Sequence, residues 1–146
     1  LFPYTPAQSL FFGLKEALAI FQEEGLPNVF ARHRRLAQGI RAGAQTLGLK
    51  LLADPRYASN SVTALWLPAG VNFETLAGRL RENYGVIIAG GLGRLEGKIF
   101  RIGHLGMLHT TDVLAVLAAL EGVLLDLGLP VTPGAAVAAA RQAMQD

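Results

Sequence analysis

The 146-residue chain contains no cysteine. Disulfides, iron–sulfur ligation and thiol nucleophiles are therefore excluded from its own chemistry, and no metal site is expected. Charged residues make up only 16% of the chain and aromatic ones 8%, with thirteen Lys and Arg against eleven Asp and Glu, for a net charge of +2. A near-balance of this kind, with no stripe of base-stacking aromatics, argues against nucleic acid as a partner. No uninterrupted apolar run approaches the roughly 18 residues of a membrane span. The opening "LFPYTPAQS" lacks the basic start and apolar core of a secretory leader, and the closing "MQD" is not a peroxisomal tripeptide; a cytoplasmic setting is expected. There is no initiator Met, and "LFPYTP" runs straight into a helical pattern. The chain reads as the later part of a longer polypeptide.

Half of the residues are apolar and 17 are glycine, which suits one packed domain. Leu10, Phe11, Leu14, Leu18 and Phe21 recur at helical spacing over 7–24, and Gly25 is a natural stop. A second helix over 26–48 puts Val29, Leu36, Ile40 and Leu47 on one stripe, with His33 at its edge. A lone histidine there reads as a packed, hydrogen-bonded residue and not a ligand. Short β-type runs, "LKLLAD" and "SVTALWLP", flank a turn-rich segment. A helix over 72–84 gathers Phe73, Leu76, Ala77, Leu80 and Tyr84. The runs "VIIAGG" and "KIFRIGH" read as two strands joined too briefly for a crossover, hence antiparallel. Thr110 is the predicted N-cap of a long apolar helix through Leu127, with Asp112 in its first turn. An Ala-rich tail helix, either docked weakly or frayed, follows at 135–144. The order predicts an α/β two-layer sandwich: a small, mainly antiparallel sheet covered by helices, mainly on one face.

The stretch "GGLGRLEGKIFRIG", residues 90–103, resembles a phosphate loop at first sight. Its glycines at 91, 93 and 97 lack the G-x-G-x-x-G spacing, and a strand follows where a dinucleotide site needs a helix N-terminus. The Walker pattern fails too, because Leu92 stands where its first glycine belongs and Ile99 follows Lys98. A wide turn between antiparallel strands accounts for Gly93 and Gly97 through positive φ. Arg101 is less easily absorbed. Strand alternation places it with Ile99 and Gly103, and Phe100 with Ile102 on the other face. A guanidinium among apolar neighbours stays protonated and needs compensation. Two readings stand: an internal Asp or Glu or an edge position from which it snorkels, or a bound carboxylate or phosphate.

At these residues the sequence resembles a known family. "VIIAGGLGRLEGKIFRIGHLG" is similar to the corresponding stretch of class V, fold type I pyridoxal-phosphate enzymes of the alanine–glyoxylate and serine–glyoxylate aminotransferase group. "PYTPAQSLFFGLKEAL" and "EEGLPNVFARHRRLAQGIRAGAQTLGL" resemble that family's entry into its small C-terminal domain and the helix after it. The resemblance covers nearly all of the chain to about Leu127. It implies residues 1–128 as the family's C-terminal domain with its linking helix, and 129–146 as a tail helix. It further implies that Arg101 takes the substrate α-carboxylate and that Thr5 hydrogen-bonds the phosphate of pyridoxal 5'-phosphate, typically that of the neighbouring subunit of a homodimer. Gly90 and Gly91 match a loop that leaves room for substrate. Some members carry a tyrosine three positions before that threonine; here it is Phe2, and whether Phe2 or Tyr4 contacts the cofactor stays open. Some sequences of the group have carried the label of a soluble hydrogenase small subunit, for which a chain without cysteine supplies no ligands. Cysteine desulfurase chemistry lacks its thiol.

The family's Schiff-base lysine lies in a large domain, and Lys15, Lys50 and Lys98 do not match its motif; all three read as solvated. The resemblance thus implies part of a transaminase that moves an amino group from a small amino acid to a 2-oxo acid such as glyoxylate, with most cofactor contacts elsewhere and no activity by this segment alone. The competing reading is a stand-alone α/β module that binds a small carboxylate or a partner without catalysis.

Overall fold

The computed structural model describes residues 4–145. Its backbone forms two compact units, Leu1–Arg32 and His33–Asp146.

In the first unit, helix α1 spans Gln8–Glu24 and helix α2 starts at Leu26, with only Gly25 between them. Gly25 donates its N–H to the Phe21 carbonyl and so closes α1. The junction is clasped by side chains: Arg32 Nε and Nη2 meet the two oxygens of Glu24 at 2.6 and 2.7 Å, and the Asn28 amide donates to the Glu24 carbonyl at 2.8 Å. Of the predicted apolar stripe of α1, Phe21 is half-buried and the other members, together with Phe12, are exposed. Leu10, Phe11, Phe12, Leu14 and Leu18 are between 50% and 73% exposed.

The second unit is an α/β two-layer sandwich. Helix α2 continues to Thr46, followed by β1 (Val62–Trp66), α3 (Phe73–Tyr84), β2 (Ala89–Gly90), β3 (Ile99–Gly103), α4 (Thr110–Asp126) and α5 (Ala135–Ala143). The sheet order is β1-β3-β2, with both pairings antiparallel. Leu65 opposes Phe100 and Thr63 opposes Ile102, so these four side chains share one face. That face packs on Leu36 and Ile40 of α2, Leu76 and Leu80 of α3, and Leu117, Leu120 and Leu124 of α4. Ala64, Trp66, Ile99 and Arg101 occupy the opposite face.

Strand lengths depart from the sequence reading for identifiable reasons. "LKLLAD" contributes a single bridge, Leu51 to Leu65, because Pro55 has no N–H to extend pairing and Asp54 caps the short turn Pro55–Tyr57. "VIIAGG" pairs only at Ala89 and Gly90; Val86 spends its N–H on the Leu80 carbonyl, as part of the α3 terminus. Thr110 is not the N-cap of α4 but its first residue. His109 takes the cap position, and its N–H bonds the Asp112 carboxylate at 2.7 Å.

The Ala-rich tail is docked. Ala136 and Ala140 are completely buried, and α2 approaches so closely that a β-carbon on Gly43 would lie 2.4 Å from Leu117 Cδ1 and 3.0 Å from the Ala136 carbonyl oxygen. No side chain of its own caps α5. Buried Glu121, on α4, supplies the cap instead, accepting the N–H groups of Gly134 and Ala136. A carboxylate at a helix N-terminus satisfies orphan donors and meets the positive end of the dipole. Glu121→Ala should therefore cost about 1–3 kcal/mol in urea unfolding, and Glu121→Gln, which keeps one acceptor, less. Equal midpoints for all three proteins would show the cap to be dispensable.

Candidate functional site

Arg101 sits at the centre of β3, opposite Ala64 on one side and Ala89 on the other. Both neighbours end in a methyl group, so the guanidinium has space above the sheet. The Gly91 N–H bonds the Ile99 carbonyl at 3.1 Å. In the alternating antiparallel pattern Ala89 and Arg101 are then a bonded pair, and Gly90 turns its N–H and C=O away from β3. β2 is an edge strand, so that carbonyl has no ladder partner. Arg101 takes it: Nε donates to Gly90 O at 2.8 Å. Among the described residues no carboxylate lies within ion-pair distance of the half-buried guanidinium. Of the two sequence readings, internal pairing with Asp or Glu is thus not realised.

Arg101, Gly90 and Gly91 are brought together, and both glycines lie close against the chain's own atoms. A β-carbon on Gly91 would fall 2.0 Å from the Leu95 carbonyl oxygen, and one on Gly90 about 3.2 Å from the Phe73 ring. What Gly90 offers Arg101 is its carbonyl. Gly93 and Gly97 have φ of 54° and 67°, the turn conformation expected of them. Lys15, Lys50 and Lys98 are all exposed.

Thr5 belongs to the first unit. It is exposed just ahead of α1, whose N-terminus has no side-chain cap. A groove of about 360 Å³ runs along Tyr4, Thr5, Pro6, Ala7, Leu10 and Phe11. Tyr4 is exposed. Phe2 lies outside the described residues.

One buried polar pair has no signature in the residue pattern. His104, fully buried, places Nε2 2.8 Å from the Thr63 hydroxyl. His33, by contrast, has the structural role expected, with Nε2 accepting the Gly106 N–H at 3.1 Å. Burial, reinforced by the charge of Arg41, holds the His104 pKa down at about 4. The unfolded imidazole binds a proton near pH 6.5 and the native one only near 4. The unfolded state therefore carries more protons between those values, and stability falls as the pH drops from 6.5 to 4. The loss should be on the order of 3 kcal/mol. Urea unfolding at pH 4.5 and 7 checks it: His104→Gln should abolish most of that difference, and an undiminished slope would place its origin elsewhere.

No protein-family model matches the chain. Individual proteins do. The chain is 46% identical over 143 residues to the "Soluble hydrogenase, small subunit" of a Synechococcus strain, covering 97% of this chain and 37% of that protein. It is 44% identical over 142 residues to the L-aspartate–glyoxylate aminotransferase of Paracoccus denitrificans, covering 97% and 36%. The fold superposes on the crystal structure of ureidoglycine–glyoxylate aminotransferase from Bacillus subtilis with a TM-score of 0.92 and 35% identity, over 98% of this chain and 37% of that one. The chain thus spans little more than a third of the length of the relatives it matches.

Proposed function

From a chain that belongs to the class V aminotransferases, we propose a C-terminal part of a pyridoxal-phosphate-dependent transaminase in which Arg101 holds the substrate α-carboxylate. The observation that carries this reading is the unpaired end of the half-buried Arg101 guanidinium, on the sheet face opposite the core that α2, α3 and α4 cover. A planar cation with two parallel N–H donors matches a planar carboxylate.

To Thr5 we assign a hydrogen bond to the cofactor phosphate. A hydroxyl in front of an uncapped helix end suits a phosphate in chemistry, since both offer donors to an anion. On this reading Thr5 serves the neighbouring subunit's cofactor in a homodimer. Bound pyridoxal phosphate supplies the electron sink that makes the amino acid's Cα–H labile. This chain's own contribution is geometric: Arg101 fixes the carboxylate, and with it the direction of the Cα–H bond, which is a positioning effect on rate. The three lysines are solvent-exposed, and none is assigned a covalent role; the segment alone is inactive on this reading. Residues 1–128 form its C-terminal domain with the linking helix, and 129–146 the tail helix.

The overall reaction passes an amino group from a small amino acid, of the alanine or serine type, to a 2-oxo acid such as glyoxylate, in keeping with the names of the serine–glyoxylate and alanine–glyoxylate relatives. Toward the chemistry in the name of the Synechococcus relative this segment contributes no thiolate ligand. The test is the kinetics of Arg101→Ala in an enzyme of full family length. Lost amino-acid affinity with cofactor still bound supports the assignment.

A further inference from the structure

We propose that Phe73, through the Gly90 carbonyl, is a positioning residue that sets which edge of Arg101 receives the carboxylate; this rests on Arg101 being the clamp. A guanidinium can grip a carboxylate by its side edge, Nε with one Nη, or by its end, Nη1 with Nη2. In this chain the single Nε–H is committed to Gly90 O at 2.8 Å. The side edge has lost one of its two donors. Only the end edge remains a complete fork, so the carboxylate is received end-on.

The commitment depends on where Gly90 is held. β2 has two residues and two register pairs, Ala89 with Arg101 and Gly90 with Phe100, too few to fix an edge strand by pairing alone. Beyond the bond from the Gly91 N–H to the Ile99 carbonyl at 3.1 Å, its support is the Phe73 ring. Three of its carbons lie 3.2 to 3.4 Å from the place a Gly90 β-carbon would take, so the ring rests directly on the glycine backbone. Phe73 is the first residue of α3, and the preceding Asn72 caps that helix by accepting the Thr75 N–H at 2.8 Å. Cap, ring, edge carbonyl and Nε form one chain of contacts. Gly90 is thereby given a further reason to lack a side chain: a β-carbon would press the ring back by a few tenths of an ångström.

The experiment is a double-mutant cycle of Phe73→Leu with Arg101→Lys in an enzyme of full family length, with L-serine or L-alanine as donor and glyoxylate as acceptor. Phe73→Leu should raise the amino-acid KM about tenfold and change kcat less than threefold, while Phe73→Tyr, which keeps the ring, stays near wild type. In the Arg101→Lys background, where no Nε–H fork remains to be aimed, Phe73→Leu should have little further effect. Additive losses, or a silent Phe73→Leu beside a damaging Arg101→Lys, overturn this inference and leave the clamp standing. A silent Arg101→Lys sinks the clamp itself. If Phe73→Leu does not fold, Asn72→Ala, which loosens the same helix start from an exposed position, takes its place in the cycle with the same outcomes. In the ¹⁵N-labelled 146-residue chain the Arg101 Nε–H should exchange slowly with water, and fast exchange would also count against the inference.

Discussion

Arg101→Ala, in an enzyme of full family length, should lower kcat/KM for the amino acid by about 10²–10³-fold, mostly through KM, with cofactor absorbance unchanged. The magnitude follows from what is removed. Truncating one partner of a hydrogen-bonded charge pair costs about 2–5 kcal/mol, and each 1.4 kcal/mol is roughly tenfold. Arg101 has no internal carboxylate within ion-pair distance among the described residues, so its loss leaves no acidic side chain of the domain stranded, and the folded state should tolerate the change. Arg101→Lys keeps the charge but not the planar pair of donors, nor the Nε–H that holds Gly90 O. Its defect should be smaller, yet still tenfold or more by the same scale. An unaltered kcat/KM for either variant would remove Arg101 from the site.

Gly91→Ala should be the most damaging single-methyl change in the loop. Its β-carbon would stand 2.0 Å from Leu95 O, 2.5 Å from Leu95 C and 2.9 Å from Ile99 Cγ1. Two of these atoms are backbone, and Leu95 O already accepts the Lys98 N–H at 3.1 Å, so the turn cannot yield without losing that bond. Overpacking of side chains costs about 1–3 kcal/mol; a clash with main chain belongs at or above the upper end. For a chain of this size that is a fall in Tm of roughly 10 °C. Gly93→Ala is the control, because nothing lies within 4 Å of its added methyl and only its φ of 54° opposes it, a cost of about 1 kcal/mol. Calorimetry giving the two variants equal Tm would show the loop to be plastic.

Much of this was legible in the sequence, for reasons that vary by element. Leu36, Ile40 and Leu47 sit at helical spacing and are all buried, because one face of α2 meets a continuous core. Period-two alternation placed Arg101 opposite Phe100 and Ile102 correctly, since a pleated strand leaves no other choice. Strand lengths were less legible. Pairing at 49–54 and 86–91 is cut short by Pro55 and by the α3 terminus, and both effects depend on what the neighbouring backbone bonds. Glu121 and His104 were invisible, because a carboxylate that caps another helix and an imidazole buried on Thr63 acquire their roles only from tertiary placement. The Gly90 carbonyl was invisible for the same reason: backbone direction at an edge strand is fixed by register, and register is not written in residue types.

The wet side chains along α1 set an energy scale. Leu10, Phe11, Phe12, Leu14 and Leu18 are each at least half exposed, and sheltering a side chain of this kind from water is worth about 1.5–3 kcal/mol. Since each is already partly sheltered, the five hold in reserve roughly 4–9 kcal/mol, comparable to the margin by which an ordinary domain stays folded. A surface complementary to that helix would draw on this reserve, less the cost of bringing two bodies together.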